Sequence, residues 1–354
     1  EIITMSSFFT KFFHFKKNFL GVISLSFIVL VSFVSVFAYF LAPDNSSNAN
    51  NMNLPIHSQK PGFSVDILKE KKTRIDHQSL FEILLFGVNE TFDEIAVSDY
   101  YIEGDFIFYT EFKSLDESLK SVLKSDYLVE KKYFLFGTDK FGRDVLSRIL
   151  VGSKISISIG FISVIISLAI GLFFGLISGY YSGFVDKIIM WLINVTWSIP
   201  TLLLVIAITL ALGKGFWQVF IAVGLTMWVE VARLVRGQVK TLKERKFIVA
   251  AKVMGFSDFR IIMFHILPNI ISPIIVISAA NFAASILIES GLSFLGLGAQ
   301  PPMISWGLMI KDHYNYIILG EPFLAIIPGI CIMLLVSSFM LLGNSLQDLL
   351  DVKN

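Results

Sequence analysis

FIVAAKVMGFSDFRIIMFHILP, residues Phe247 to Pro268, is a charged, amphipathic stretch between two long apolar runs. Ala250 and Ala251 precede Gly255, and Ile266, Leu267 and Pro268 close the stretch. Glu244 to Met254 favours helix, Gly255 is able to break it, and Ser257 is able to cap a second helix. The expected local structure is therefore helix, break, helix in a loop between membrane spans. Small residues on neighbouring turns let the groove of another protein approach closely. Flanking basic residues suit an acidic partner or an anionic lipid surface. An ordinary amphipathic helix lying on the membrane fits the same pattern, and physics alone leaves the two readings level.

Outward from this stretch, the chain is apolar in long runs. It has 354 residues, 55% of them hydrophobic, where soluble proteins stay near roughly 45–50%. A span needs about 20 apolar residues. Six runs qualify: Phe19 to Ala42, Ile155 to Gly179, Ile188 to Leu212 with Pro200 near its middle, Phe216 to Val235, Leu267 to Ile288, and Phe323 to Leu342. The four residues before Met5 are left out of the fold reading. Net charge is +1, which gives no ground for a nucleic-acid partner. The single cysteine, Cys331, excludes an intrachain disulfide and a cysteine-based metal site.

Basic residues in short loops set the expected orientation. Lys11, Lys16, Lys17, Lys187 and the series from Arg233 to Arg260 fall on one side; the short loops opposite hold only Lys214 and Lys311. The basic side is expected to be cytoplasmic, with both termini inside. In the second run Gly171, Gly175 and Gly179 form a small-xxx-small series, which allows close helix approach, within this bundle or against another subunit.

Residues 43–135 are polar and are expected to form a small α+β extracellular or periplasmic insertion. Asp44 to Asn53 reads as a flexible linker. Tyr100 to Phe112 reads as a hairpin turning at Gly104, Leu115 to Leu128 as a short amphipathic helix, and Ser79 to Val88 as core of the insertion. The insertion is either packing on the membrane part or a docking surface for a solute receptor. Residues 136–154, FGTDKFGRDVLSRILVGSK, read as an amphipathic helix on the outer membrane surface. Asp139/Arg143 and Asp144/Arg148 are expected i,i+4 pairs, and the helix is expected to position the next span.

No G-x-x-x-x-G-K-[ST] loop occurs, so the chain is not expected to hydrolyse ATP. The five histidines lack metal-ligand spacing; His265 is expected to serve packing or capping. Glu230 is an intramembrane acid, a functional candidate by default, although Arg233 is near enough to pair with it. Glu289 is expected to anchor the turn that follows its helix.

Ala250, Ala251, Gly255, Ile266, Leu267 and Pro268 resemble the EAA signature of ABC importer permeases, with Val249 in place of its leading Glu. GTDKFGRDVLSR (Gly137 to Arg148), SIPTLLL (Ser198 to Leu204), VARLVRGQV (Val231 to Val239), ESGLSFLGLGAQPPMISWG (Glu289 to Gly307) and GNSLQDLLD (Gly343 to Asp351) resemble the C-type permease subunit of dipeptide, oligopeptide and nickel importers. The resemblance covers roughly residues 1–42 and 136–354; the segment 43–135 is longer than the family leads one to expect.

The resemblance implies an all-α polytopic membrane protein of six transmembrane helices with the type I ABC importer permease fold. Residues 1–42 carry the cytoplasmic N-terminus and first span, 43–135 the insertion, 136–154 the surface helix, and 155–354 a five-helix core with a cytoplasmic coupling loop at 236–266. It implies that Ala250, Ala251, Lys252, Gly255, Phe256, Ile266, Leu267 and Pro268 couple the chain to separate ATPase subunits. The implied partners are a homologous second permease subunit, two ATPase subunits that bind the ATP, an extracellular solute-binding protein and membrane lipid. The implied cargo is short peptides, with nickel as the alternative, and the implied place is the bacterial inner membrane. A secondary transporter would need ionisable groups facing a cavity, and only Glu230 and Glu289 come close. A receptor displaying the insertion would need only one span.

Overall fold

The computed structural model describes residues 18–70, 78–89, 94–113, 118–213 and 215–351. Expectations on residues 1–17, His77, Lys214 and the start of the Leu115 to Leu128 segment lie outside these. The chain opens with α1 (Phe19–Val36) and α2 (Ala38–Leu41). A sheet segment follows: β1 (Phe63–Glu70), α3 (Leu80–Phe86), β2 (Glu94–Glu103), β3 (Phe106–Glu111), β4 (Lys120–Leu123) and β5 (Tyr127–Phe134). Then come α4 (Val145–Tyr181), α5 (Gly183–Trp197), α6 (Thr201–Leu212), α7 (Phe216–Lys243), α8 (Lys246–Val253), α9 (Asp258–Phe294), α10 (Trp306–His313) and α11 (Phe323–Asp351).

Among the described residues five helices, α1, α4, α7, α9 and α11, are long and apolar enough to cross a membrane, and the α5–α6 pair brings the number to six. That pair is not a straight span, because it bends by 91°. Pro200 removes a donor from the helix ladder and disfavours helical backbone at Ile199. The end of α5 is closed locally, with the Ser198 hydroxyl donating to Val195 O at 2.8 Å and Thr196 to Leu192 O at 2.9 Å.

The chain divides into two compact units. One comprises Ser156–Gln300 with the chain up to Leu30 and from Cys331 onward. Its centre is the crossing of α4 and α7. A Cβ placed on Gly171, Gly175 or Gly179 would stand 2.5, 2.7 or 2.6 Å from the Cβ of Val231, Val235 or Val239. A glycine every fourth residue therefore meets a valine every fourth residue, and the backbones close to a distance no side chain would permit. Between apolar helices in lipid, such van der Waals contact is the main source of association. The series is used inside the chain.

The other unit comprises Val31–Ile155 and Pro301–Ile330. Its sheet is antiparallel in the order β4-β3-β2-β1-β5. Glu103 pairs with Phe106 across the expected turn. Alternation along β1 sends Val65 and Ile67 to one core, with Ile56, Ala96 and Phe134, and Leu68 to the other, with Val97, Ile107 and Tyr109.

Four expectations for this unit are corrected. Asp44 to Asn53 is ordered: the Asp44 carboxylate accepts from the N–H groups of Ser46 and Asn51 at 3.0 and 3.1 Å, and Asp44, Ser46 and Asn53 are buried. Ser79 to Val88 is not core, for no residue of α3 is buried. The described part of Leu115 to Leu128 is strand and turn, because pairing along β3 and β1 overrides a helical period. Residues 136–154 are not one surface helix. They make a turn with a Thr138–Asp144 bridge, and a single helix then runs from Val145 to Tyr181.

Candidate functional site

The elbow between α7 and α9 is built on a closed helix end. α8 starts from Arg245 in extended backbone and ends where Gly255 takes φ +79°. Phe256 N–H donates to Ala251 O at 3.2 Å and Gly255 N–H to Lys252 O at 3.1 Å. These two bonds form a Schellman motif, for which glycine carries no left-handed penalty. Ser257 then caps α9, its hydroxyl accepting from Arg260 N–H at 3.4 Å. The break and the cap fall where the sequence places them.

Beyond the cap, α9 is continuous into the membrane. Ile261–Ile266 is wound as π-helix, with Leu267 N–H donating to Ile262 O. Pro268 lies just beyond and has no N–H to give to an α-helical ladder, so the wider winding coincides with the break in donors. Ile266, Leu267 and Pro268 thus lie within a helix rather than at the exit of a loop.

One face of the elbow is fixed to the ends of the long helices. Ile248, Ala251, Ile261, Ile262 and Ile266 are buried against Tyr180 and Val239, with Phe256 packed beside them. The Tyr180 hydroxyl donates to Asp258 Oδ1 at 2.6 Å, and Lys243 Nζ donates to Tyr180 O. Phe256 stacks on His265 with ring centroids 5.7 Å apart, giving this histidine its packing role. Asp186, at the start of α5, accepts from Arg236 Nε at 2.6 Å and Lys240 Nζ at 2.7 Å, which holds the last turns of α7.

The opposite face is bare. Val253 is 82% exposed and Met254 66%, and Val249, Ala250, Lys252 and Gly255 are exposed with them. A hollow of 260 Å³ lies between this face and Tyr180, lined also by Lys243 and Ile248. Arg245, Lys246, Lys252 and Arg260 are all exposed along the elbow, as is Glu244, and the Arg260 guanidinium lies 4.5 Å from the centre of the Phe256 ring. The eight residues expected to couple therefore divide. Ala250, Lys252, Gly255 and Pro268 are exposed, Ala251 and Ile266 are buried, and Phe256 and Leu267 are half-buried. Val253 and Met254, an adjacent exposed apolar pair beside Gly255, are not among those eight; apolar residues next to a helix-ending glycine are the sequence signal for them.

A second hollow, of 140 Å³, lies at the bend, lined by Trp197, Thr201, Thr226, Glu230 and Ile288 among others. Glu230 does not pair with Arg233, and among the described residues no ion pair involves it. The Arg233 guanidinium lies 3.7 Å from the centre of the Trp197 ring instead. Glu289 does hold its turn: Ser293 Oγ donates to Glu289 Oε1 at 2.6 Å and accepts from Ala299 N–H at 3.3 Å.

In the sheet-bearing unit Asp139 takes Arg143 at 2.7 Å, as expected, and also Arg148 at 3.4 Å. Arg148 therefore does not go to Asp144, which accepts from Ser147 N–H at 2.9 Å. Burial raises the Asp144 carboxyl above the ordinary carboxylate range and lowers the His313 imidazole below 6.5. Trp306 Nε1 donates to Ile149 O at 2.9 Å. This cluster fixes the first turns of α4.

Residues 171–353 match the family described as binding-protein-dependent transport system inner membrane component. The dipeptide transport system permease protein DppC of Alkalihalophilus pseudofirmus is 42% identical over 218 residues, 62% of this chain and 71% of that protein. The glutathione transport system permease protein GsiD of Pectobacterium atrosepticum is 42% identical over 217 residues, 61% and 72% of the two chains. A solved structure described as inward facing conformations of the MetNI methionine ABC transporter covers 58% of this chain at 16% identity with a TM-score of 0.48. That last likeness is too low to add to the argument. The long apolar helices, the elbow between two of them and the match across more than half of the sequence agree: the chain belongs to the inner membrane components of binding-protein-dependent transport systems.

Proposed function

We propose that the chain is one of two homologous membrane subunits of an importer for short peptides, and that separate ATPase subunits drive it by gripping the elbow. The observation that carries this reading is the two-sided elbow. Its inner face, Ile248, Ala251 and Ile261, is buried against the ends of the long helices. Its outer face, Val253 and Met254, is apolar and bare, with the exposed Lys246 and Lys252 on the same helix. A movement imposed on the outer face would reach the helices as a rigid tilt, since packed elements shift between discrete arrangements rather than deform.

The cargo class is supported by the relatives, whose names give a dipeptide and glutathione as what they carry. An extracellular solute-binding protein delivers the peptide, ATP is bound by the partner subunits alone, and both termini face the cytoplasm, as the basic loops indicate. Reconstitution of the complete transporter in liposomes tests the reading. ATP-dependent uptake of a labelled dipeptide is expected with all subunits present and none with this chain alone. Uptake by the isolated chain, indifferent to ATP, would sink it.

A further inference from the structure

Helix α3 (Leu80–Phe86) is firmly built and yet leaves most of its large apolar side chains exposed. Its first turn is closed by a capping box: Ser79 Oγ accepts from Glu82 N–H at 3.2 Å, and Glu82 Oε2 accepts from Ser79 N–H at 2.9 Å. At its other end Gly87 N–H donates to Ile83 O at 2.9 Å, and Lys154 Nζ donates to Leu84 O and Leu85 O at 2.7 and 3.0 Å. Lys154 thereby satisfies carbonyls that a helix end leaves open. For all this closure, Leu80 is 76%, Phe81 67% and Phe86 61% exposed. A short helix of this composition, held rigid with its large apolar groups facing outward, marks an interaction surface.

The position of α3 identifies the occupant. Tyr39 of α2 lies three residues beyond the end of α1, and its ring would stand 2.7 Å from a Cβ on Gly87. The Lys154 ammonium lies 4.6 Å from the centre of the same ring. Lys154 immediately precedes the uncharged run that begins at Ile155. Helix α3 is therefore clamped between the residue where one apolar span has just ended and the residue where the next begins. Phe40 and Leu41 of α2, which follows α1 directly, are exposed as well.

We propose that α3 is seated in the bilayer, with Leu80, Phe81 and Phe86 among the acyl chains of the leaflet on the insertion's side, tethering residues 43–135 to the membrane surface. Helices that lie in the interface bury an apolar face about 5–10 Å into the headgroup and acyl boundary. This seating requires only the membrane spans; it is independent of cargo and of coupling to an ATPase.

The test uses the assembled transporter in proteoliposomes, with Cys331→Ser as background and an environment-sensitive nitrobenzoxadiazole label on single cysteines. Phe81→Cys is the probe and Phe86→Cys the second probe should the first fail to fold. Val29→Cys on α1 is the lipid reference and Tyr133→Cys on β5 the water reference. Label at position 81 is expected to be quenched by shallow doxyl-phosphatidylcholine as at position 29. Quenching by aqueous iodide is expected to be about five-fold weaker at 81 than at 133. Iodide access equal to that at 133 overturns the proposal, and so does shielding from both quenchers, which would mean a protein partner covers α3. If position 29 itself escapes the doxyl lipid, the membrane reading of α1 fails instead.

Discussion

Two sets of small residues in this molecule have similar spacing and opposite fates. On α4, Gly171, Gly175 and Gly179 each face a valine of α7, with no room for even a methyl group. At the elbow, a Cβ on Gly255 would meet nothing within 4 Å, and of the two alanines before it Ala251, four residues back, is buried while Ala250, five back, is exposed. The first set is spent on the chain's own packing. The second is left open on a surface whose other side is buried. A glycine every fourth residue shows that something comes close; it does not show whether that something is in the same chain.

The largest effect is expected where the space is already filled. Gly175→Ile would push α4 off Val235 and the Ala232 carbonyl, and overpacking of this kind costs about 3 kcal/mol or more. Loss of monodisperse protein on detergent extraction is the expected outcome; Val235→Ala should restore part of it. Full recovery of folded Gly175→Ile without compensation would break the comparison on its inner side.

Gly255→Arg should do the reverse. The left-handed backbone at 255 costs a non-glycine residue about 1–2 kcal/mol, so the chain is expected still to fold and insert, but with a bulky cation on the open face. Dipeptide uptake by the complete transporter is expected to fall about a hundred-fold, as for loss of a central contact. Gly255→Asn, which tolerates this backbone, should keep most of the uptake. Uptake by the Arg variant near wild type would mean that the open face touches nothing.

Val253→Asp sharpens the same side by chemistry rather than bulk. Association with the ATPase subunits, followed by co-purification over a concentration series, should weaken about ten-fold with unchanged thermal stability. A smaller effect tests the internal construction of the elbow. Ser257→Ala removes the cap of α9 and should cost about 0.5–1 kcal/mol, seen as faster amide exchange at Asp258 to Arg260 with uptake barely altered.

The smallest effect concerns a buried group outside both sets. His313 is held below its ordinary pKa of 6.5 by burial. Its folded form resists a proton that the unfolded chain accepts, so its contribution is complete above pH 6.5 and is lost as pH falls below that value. Wild type should therefore lose thermal stability relative to His313→Gln on acidification from pH 7 to pH 5. A constant difference across that range would place the imidazole in water.

Long-range order was readable where a single chemical requirement dominates. Apolar runs marked the spans, Gly104 marked the hairpin, and Gly255 followed by Ser257 marked the break and the new cap, because each is decided by the residue itself. What failed was decided by neighbours distant in sequence. Arg148 chose between two aspartates on grounds of tertiary position, and Asp139 holds it. Leu115 to Leu128 carries a pattern compatible with helix, but open strand edges at β3 and β1 claim its Lys120–Leu123 and Tyr127–Leu128 portions. Helix α3 is apolar enough to look like core, and nothing in its letters says that it lies bare. At the elbow, sequence named the right turn but could not sort Ala251, turned inward, from Ala250, turned outward.

The π-wound turn of α9 has one consequence for engineering. A single surplus residue there offsets all that precedes it by about 100° around the helix axis. Trimming one amino acid between Ile261 and Ile266 would let the winding relax to four-residue bonds while swinging Gly255 and Val253 to another compass bearing. The aim of the elbow is thus set by a phase error in the helix below it.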